Sequence, residues 1–229
     1  MRTVVIGATH GLGLALTEKL LAENCIVAAG VVDRDVPGTL EPLVEKYDDK
    51  LLVASADVTD ETEIISFAEA VSGFMGKVDA VCVVAGILLP SDQETKLHEV
   101  DVSVLRRTFD VNFFGPIICA KYFYPLMEPG SKFIIITSES VGVRSVWSGM
   151  PCYALSKTAA TKASGILGSS VENVDFYAVH PGRPMTLMNR NGEITAEESA
   201  GGIYNLMAGI TPLTRSIWYV DYKGNPMDM

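Results

Sequence analysis

The sequence is short of the residues that mark several common protein classes. Its four cysteines, Cys25, Cys82, Cys119 and Cys152, are scattered and form no CxxC pair. Neither a disulfide framework nor a cysteine metal site is therefore expected. Positive charge is scarce: 18 Lys and Arg against 28 Asp and Glu leave a formal net charge of −10. That excludes the basic footprint by which a protein grips nucleic acid or an anionic membrane surface. No uncharged apolar run reaches the ~18 residues of a membrane-spanning helix. The opening Met1-Arg2-Thr3 and Val4-Val5-Ile6 breaks at once into Gly7-Ala8-Thr9-His10-Gly11, with no small-residue cleavage site of a secretory leader. It reads as the first strand of a cytoplasmic protein. No repeat, low-complexity tract or Pro/Gly/Ser linker divides the chain. What is plentiful is apolar material, 48% of 229 residues, which suits one α/β domain over 1–229.

Short apolar runs alternate with longer helical patterns. Strands are expected at Thr3–Ala8, Ile26–Ala29, Leu51–Ala54, Ala80–Val84, Phe133–Thr137, Asp175–Val179 and Ile217–Val220. Several are uninterrupted, as parallel strands buried on both faces are. Leu12, Leu16 and Leu20 recur every four residues. Further helices are expected at Asp60–Phe74, Val104–Met127 and Cys152–Gly168, with Thr195-Ala196-Glu197-Glu198 as a capping box for one ending near Ala208. The alternation predicts an α/β fold: a single doubly wound parallel sheet of about seven strands, of the Rossmann type, with helices on both faces. A polar loop at Thr186–Thr195 and the helix after it, about 183–210, would lie where ligands bind such sheets.

Gly7-Ala8-Thr9-His10-Gly11-Leu12-Gly13 follows a strand and opens a helix. Gly7 permits the tight turn, Gly11 lets the backbone approach a pyrophosphate, and Gly13 lets helix and sheet pack closely. Gly7, Thr9, His10, Gly11 and Leu12 are the candidate contacts. The spacing is GxxxGxG, and a glycine-rich turn without a ligand is the plainer reading. Beyond the second strand stand Asp33, suited to a ribose hydroxyl, and Arg34, suited with His10 to a 2′-phosphate. NAD(H) and NADP(H) both stay open. Asp57 and Val58 follow the third strand, beside the expected adenine.

Tyr153-Ala154-Leu155-Ser156-Lys157 places a phenol and an ammonium four residues apart, on one helix face. The ammonium, together with a cationic nicotinamide, is expected to draw the phenol down from its ordinary value near 10, so that it exchanges a proton with an alcohol or carbonyl oxygen. Ser138, ending the fifth strand, is placed to bond that oxygen.

These motifs together resemble the short-chain dehydrogenase/reductase family, in order along nearly the whole chain. Gly7, Gly11 and Gly13 match its glycine loop and Asp57 its adenine-side acid. Val84-Ala85-Gly86 sits at its Asn-Ala-Gly turn, putting Ala85 and Gly86 beside the cofactor. Asn112, Ser138, Tyr153 and Lys157 match its catalytic set, with Tyr153 and Lys157 also reaching cofactor. Pro181, Gly182 and Thr186 match its nicotinamide-side loop. The resemblance implies hydride transfer between NAD(P) and a small carbonyl or alcohol, with Tyr153 as general acid/base, no metal, and a homodimer or homotetramer. There are departures: Ile6 for a threonine, Val84 for the asparagine, Pro184 where a backbone N–H is usual, and 15 residues from Ser138 to Tyr153, which enlarge the loop carrying Arg144 and Trp147. The alternatives are a non-catalytic dinucleotide sensor on the same fold, and an epimerase or dehydratase.

Four finer expectations follow. Pro116 lacks the N–H that would bond the Asn112 carbonyl, so the long helix should kink there. That carbonyl would then be free to hold a water, the relay the resemblance implies. Cys152, near a helix start, has either a lowered thiol pKa or an inert packed thiol. Met185, Leu187 and Met188 line an apolar pocket or simply pack. Arg183 and Arg190 meet an acidic group or stay solvated.

Overall fold

The structure, a computed structural model, describes residues 1–32, 35–142 and 149–229, apart from the side chain of Glu94. Each expected apolar run forms a strand. They are β1 (Arg2–Ile6), β2 (Ile26–Val31), β3 (Leu51–Ser55), β4 (Val78–Val83), β5 (Met127–Ile136), β6 (Val174–His180) and β7 (Tyr219–Asp221). All pair in parallel, in the order β3-β2-β1-β4-β5-β6-β7. Successive residues of a strand point to opposite faces, and each face has its own core. Val5, Ala29, Cys82, Ile134 and Tyr177 pack with α1 (Gly11–Ala22) and α8 (Ala196–Met207). Val4, Val81, Phe133 and Phe176 pack with α3 (Glu61–Met75) and α6 (Gly115–Phe123). Both faces being covered is why these strands carry no polar alternation.

The strand order reverses between β1 and β4, which opens a crevice at their carboxyl ends. Thr195 accepts from the Glu198 N–H at 3.1 Å, so the capping box opens α8 as expected. Two short helices were not foreseen, α2 (Glu41–Lys46) and α4 (Pro90–Glu94). The remaining two are α5 (Val102–Phe109) and α7 (Pro151–Ser170).

The single helix expected over Val104–Met127 is divided. A π-helical turn, Asp110–Phe114, separates α5 from α6, and the chain enters β5 at Met127 after a short 3-10 turn. The Gly115 N–H reaches back five residues to the Asp110 carbonyl. Pro116 offers no N–H to the turn before it, and widening that turn absorbs the mismatch. The expected kink thus takes the form of a π turn, with Asn112 at its centre.

Candidate active site

The glycine loop is shaped by contacts that a side chain would break. Gly7 has φ +91°, and a Cβ there would stand 2.6 Å from the Ala85 nitrogen. At Gly13 it would stand 2.0 Å from the Gly7 carbonyl oxygen. The loop therefore lies directly on the turn after β4. At the start of α1, His10 makes no side-chain cap, and the first turn holds no acidic residue. Its N–H groups face the crevice with the positive end of the helix dipole, which fits a pyrophosphate. Thr186 closes over this loop, its methyl 3.3 Å from where a Gly11 Cβ would be.

Asp57 and Val58, expected on the adenine side, are held from two directions. Asp57 Oδ1 accepts from the Thr59 N–H and hydroxyl, both at 2.8 Å. The Asp57 N–H donates to Glu63 Oε2 at 2.9 Å, which also takes the Ser55 hydroxyl. The Val58 side chain is buried against Gly115, where a Cβ would come within 2.7 Å. Only its backbone remains for a ligand. Asp33 and Arg34, with Arg144 and Trp147, lie outside the described residues.

On the other side of the crevice, β5, the π turn and α7 converge. The Tyr153 phenol lies near Ser138, and Lys157 Nζ lies 5.9 Å from the centre of the tyrosine ring. Lys157 is 3% exposed and donates to the Ile136 carbonyl at 2.8 Å. Burial alone pulls its ammonium down to about 8. Burial also pushes the phenol up to about 12, against a smaller lowering by Ser138. In the protein alone desolvation outweighs any lowering of the phenol, and the expected lowering is for the site with a cationic nicotinamide beside it. Gly86 makes room for this arrangement, since a Cβ there would be 3.0 Å from Lys157 Nζ and 3.3 Å from Asn112 Oδ1.

The Asn112 side chain bridges two segments. Oδ1 accepts from the Ile87 N–H at 2.8 Å, and Nδ2 donates to the Ile87 carbonyl at 2.9 Å and to Ser156 Oγ at 3.0 Å. The Ser156 hydroxyl donates in turn to the Tyr153 carbonyl. One amide therefore ties the segment after β4 to α7.

A family model described as short chain dehydrogenase matches residues 2–197. The chain belongs to the short-chain dehydrogenase family. An uncharacterised oxidoreductase of Schizosaccharomyces pombe is 32% identical over 202 residues, covering 87% of this chain and 77% of that protein. A 1-deoxy-11-beta-hydroxypentalenate dehydrogenase of Streptomyces avermitilis is 28% identical over 218 residues, covering 89% and 80%. Among solved structures, an NADPH-bound carbonyl reductase from chicken fatty liver superposes with a TM-score of 0.88 at 20% identity, covering 100% of this chain and 98% of that one. As a family member the chain is an oxidoreductase of the NAD(P)-dependent kind.

Within this dehydrogenase the sequence departures have visible consequences. Ile6 is fully buried, and its carbonyl accepts from the N–H groups of Val84 and Ala85 at 2.8 and 2.9 Å. Backbone bonds thus brace the glycine loop against the turn after β4 where threonine and asparagine side chains are missing. Pro184 sits in a bridge with Ile194, and the Met185 N–H bonds the Ile194 carbonyl at 2.8 Å. Arg183 is held by Glu139 and Glu193, each at 2.8 Å, so it is not a free cation for an acidic substrate. Met185, Leu187 and Met188 are exposed, which rules out ordinary core packing for them. Cys152 is buried and its thiol is pushed up to about 12, by burial first and then by Asp92, so the inert thiol is the correct reading.

Several contributing residues escaped the sequence reading. Tyr219 donates to the Ser138 carbonyl at 2.9 Å from the far end of the chain, with no local signal. Ser156 had one, being three residues from Tyr153 on the same helical turn. Glu63 was legible only as a first-turn helix acid.

Proposed function

We propose that the chain catalyses NAD(P)(H)-dependent interconversion of a small carbonyl compound and its alcohol, with Tyr153 as general acid/base. The observation that carries this is the convergence of the Tyr153 phenol with Ser138 and with Lys157, whose Nζ lies 5.9 Å from the centre of the tyrosine ring. When bound, the reduced dinucleotide supplies a hydride to the carbonyl carbon. The residues proposed to hold it are Gly7, Thr9, His10, Gly11, Leu12, Asp57, Val58, Ala85, Gly86, Pro181, Gly182 and Thr186, with Asp33 and Arg34 at the ribose. Ser138 and Tyr153 orient the carbonyl oxygen by hydrogen bonds. The Tyr153 proton moves to that oxygen as negative charge develops there, leaving a phenolate that the Lys157 ammonium stabilises. In the reverse direction the same hydroxyl site takes the proton back.

The substrate we favour has an apolar body, because Met185, Leu187 and Met188 stand exposed while Arg183 is neutralised by two carboxylates. The chain is proposed to work as one domain over 1–229, with 183–210 as substrate loop and helix. It is proposed to be cytoplasmic and to form a homodimer or homotetramer joined through α5 and α7, where Leu105, Phe109 and Leu155 line an apolar groove. No helix among the described residues is long and apolar enough to cross a membrane. The test is a panel of apolar, neutral polar and anionic aldehydes and ketones, assayed with NADH and NADPH by loss of reduced-nicotinamide absorbance. Turnover concentrated in the apolar members supports the reading. Turnover of none, with tight cofactor binding, supports the sensor instead.

A further inference from the structure

Asp92 lies on α4, between the Gly86 turn and the π turn, and is completely buried. It makes no ion pair among the described residues. A buried carboxylate needs hydrogen bonds in compensation, and these come from α7. Oδ1 accepts from the Cys152 N–H and Oδ2 from the Tyr153 N–H, both at 2.8 Å. These are the second and third residues of the helix.

The helix itself explains why the bonds are needed. Its N-cap position is Met150, left-handed at φ 50° and without a side-chain acceptor. Pro151 then brings no N–H at all. The first N–H groups of α7 are therefore left without a local acceptor. An acid from another segment supplies both, and its charge also suits the positive end of the helix dipole. One of those two N–H groups belongs to Tyr153 itself.

We infer that Asp92 is a positioning residue for Tyr153, fixing the first turn of α7 against the segment that follows β4 and so setting where the phenol meets the substrate oxygen. The inference rests on the acid/base role proposed for Tyr153. A second tie runs in parallel, from Ile87 through Asn112 and Ser156 to the Tyr153 carbonyl. The peptide groups of the catalytic tyrosine are thus held on both sides, N–H by Asp92 and C=O by Ser156. Asparagine at 92 keeps the volume, but one of its two heads is a donor that faces a donor.

The test compares wild type, Asp92→Asn and Asp92→Ala, each alone and with Tyr153→Phe, below the melting temperature of the weakest variant. Readouts are kcat, KM, cofactor affinity by fluorescence titration and folded fraction by circular dichroism. Asp92→Asn is expected to lower kcat about 10- to 100-fold, with Asp92→Ala at least as impaired, while cofactor affinity stays within about twofold. In the Tyr153→Phe background the same change should lower the residual rate by less than about threefold, because the hydroxyl it positions is gone. Unchanged kcat in Asp92→Asn overturns the inference. So does a loss matched by the folded fraction, or an equal loss in the Tyr153→Phe background. Asp92→Ser, which keeps one acceptor, carries the same comparison should Asp92→Asn not fold. Full turnover in Tyr153→Phe alone would overturn the acid/base reading and this inference with it. An inactive Tyr153→Phe beside an unimpaired Asp92→Asn would overturn this inference only.

Discussion

Lys157 occupies a place that suits chemistry at the expense of stability, and replacing it with methionine should reveal the exchange. Burial moves its ammonium from the ordinary 10.5 to about 8, which corresponds to about 3 kcal/mol of unfavourable desolvation in the charged form. Below pH 8 both folded and unfolded chains carry the proton, so the full cost falls on the folded state. Between about 8 and 10.5 the folded protein has released it and the unfolded chain has not. Wild-type stability from this group therefore rises with pH across that window, and levels off above it. Methionine has similar length and no charge. It forfeits the bond to the Ile136 carbonyl, a loss of about 1–2 kcal/mol. Lys157→Met should then be more stable than wild type by about 1–2 kcal/mol at pH 7, raising the melting temperature by about 2–8 °C in a chain of this size. Turnover should be lost. The assay is calorimetry or circular dichroism without added cofactor, from pH 7 to pH 10, comparing variant with wild type at each pH. The advantage of the variant should shrink steadily above pH 8 and reverse near the top of the range. A destabilised Lys157→Met at pH 7, or a difference that does not vary with pH, would refute the reasoning.

Two other outcomes are expected. Gly86→Ala places a methyl 3.0 Å from Lys157 Nζ and 3.3 Å from Asn112 Oδ1; it should cost about 1–3 kcal/mol of stability by overpacking and lower kcat at least about tenfold, read by melting temperature and steady-state rates. Iodoacetamide at pH 7.5 should leave Cys152 unlabelled in the native enzyme and label it after denaturation, because the thiol is buried and pushed up to about 12; mass mapping reads the result.

Much of this architecture was legible in the sequence because its signals are local. Val4-Val5-Ile6 or Phe133-Ile134-Ile135-Ile136 need only be apolar and uninterrupted to read as strands covered on both faces. The glycine loop and the Tyr153/Lys157 pair are likewise short patterns whose spacing carries the physics. What escaped depends on contacts distant in the chain. Asp92 sits in Pro90-Ser91-Asp92-Gln93-Glu94, a polar stretch that reads as a loop, and its partners lie 60 and 61 residues away. Tyr219 and Ser138 are 81 residues apart. The upward shift of the phenol in the protein alone was not legible for a related reason. Spacing shows that an ammonium is near, but only the packed structure shows that both groups are desolvated. Pro116 was a sound signal for a helix irregularity, yet sequence alone does not choose between a kink and a π turn.

The claim on which the rest depends is that the Tyr153 hydroxyl moves the proton. Its most direct test is Tyr153→Phe, which keeps the ring and removes only that group. The rate of carbonyl reduction should be measured at saturating cofactor, alongside cofactor affinity by fluorescence titration. A rate lowered at least about 100-fold, with affinity within about twofold of wild type, is the expected result. A rate within a few-fold of wild type would contradict the account.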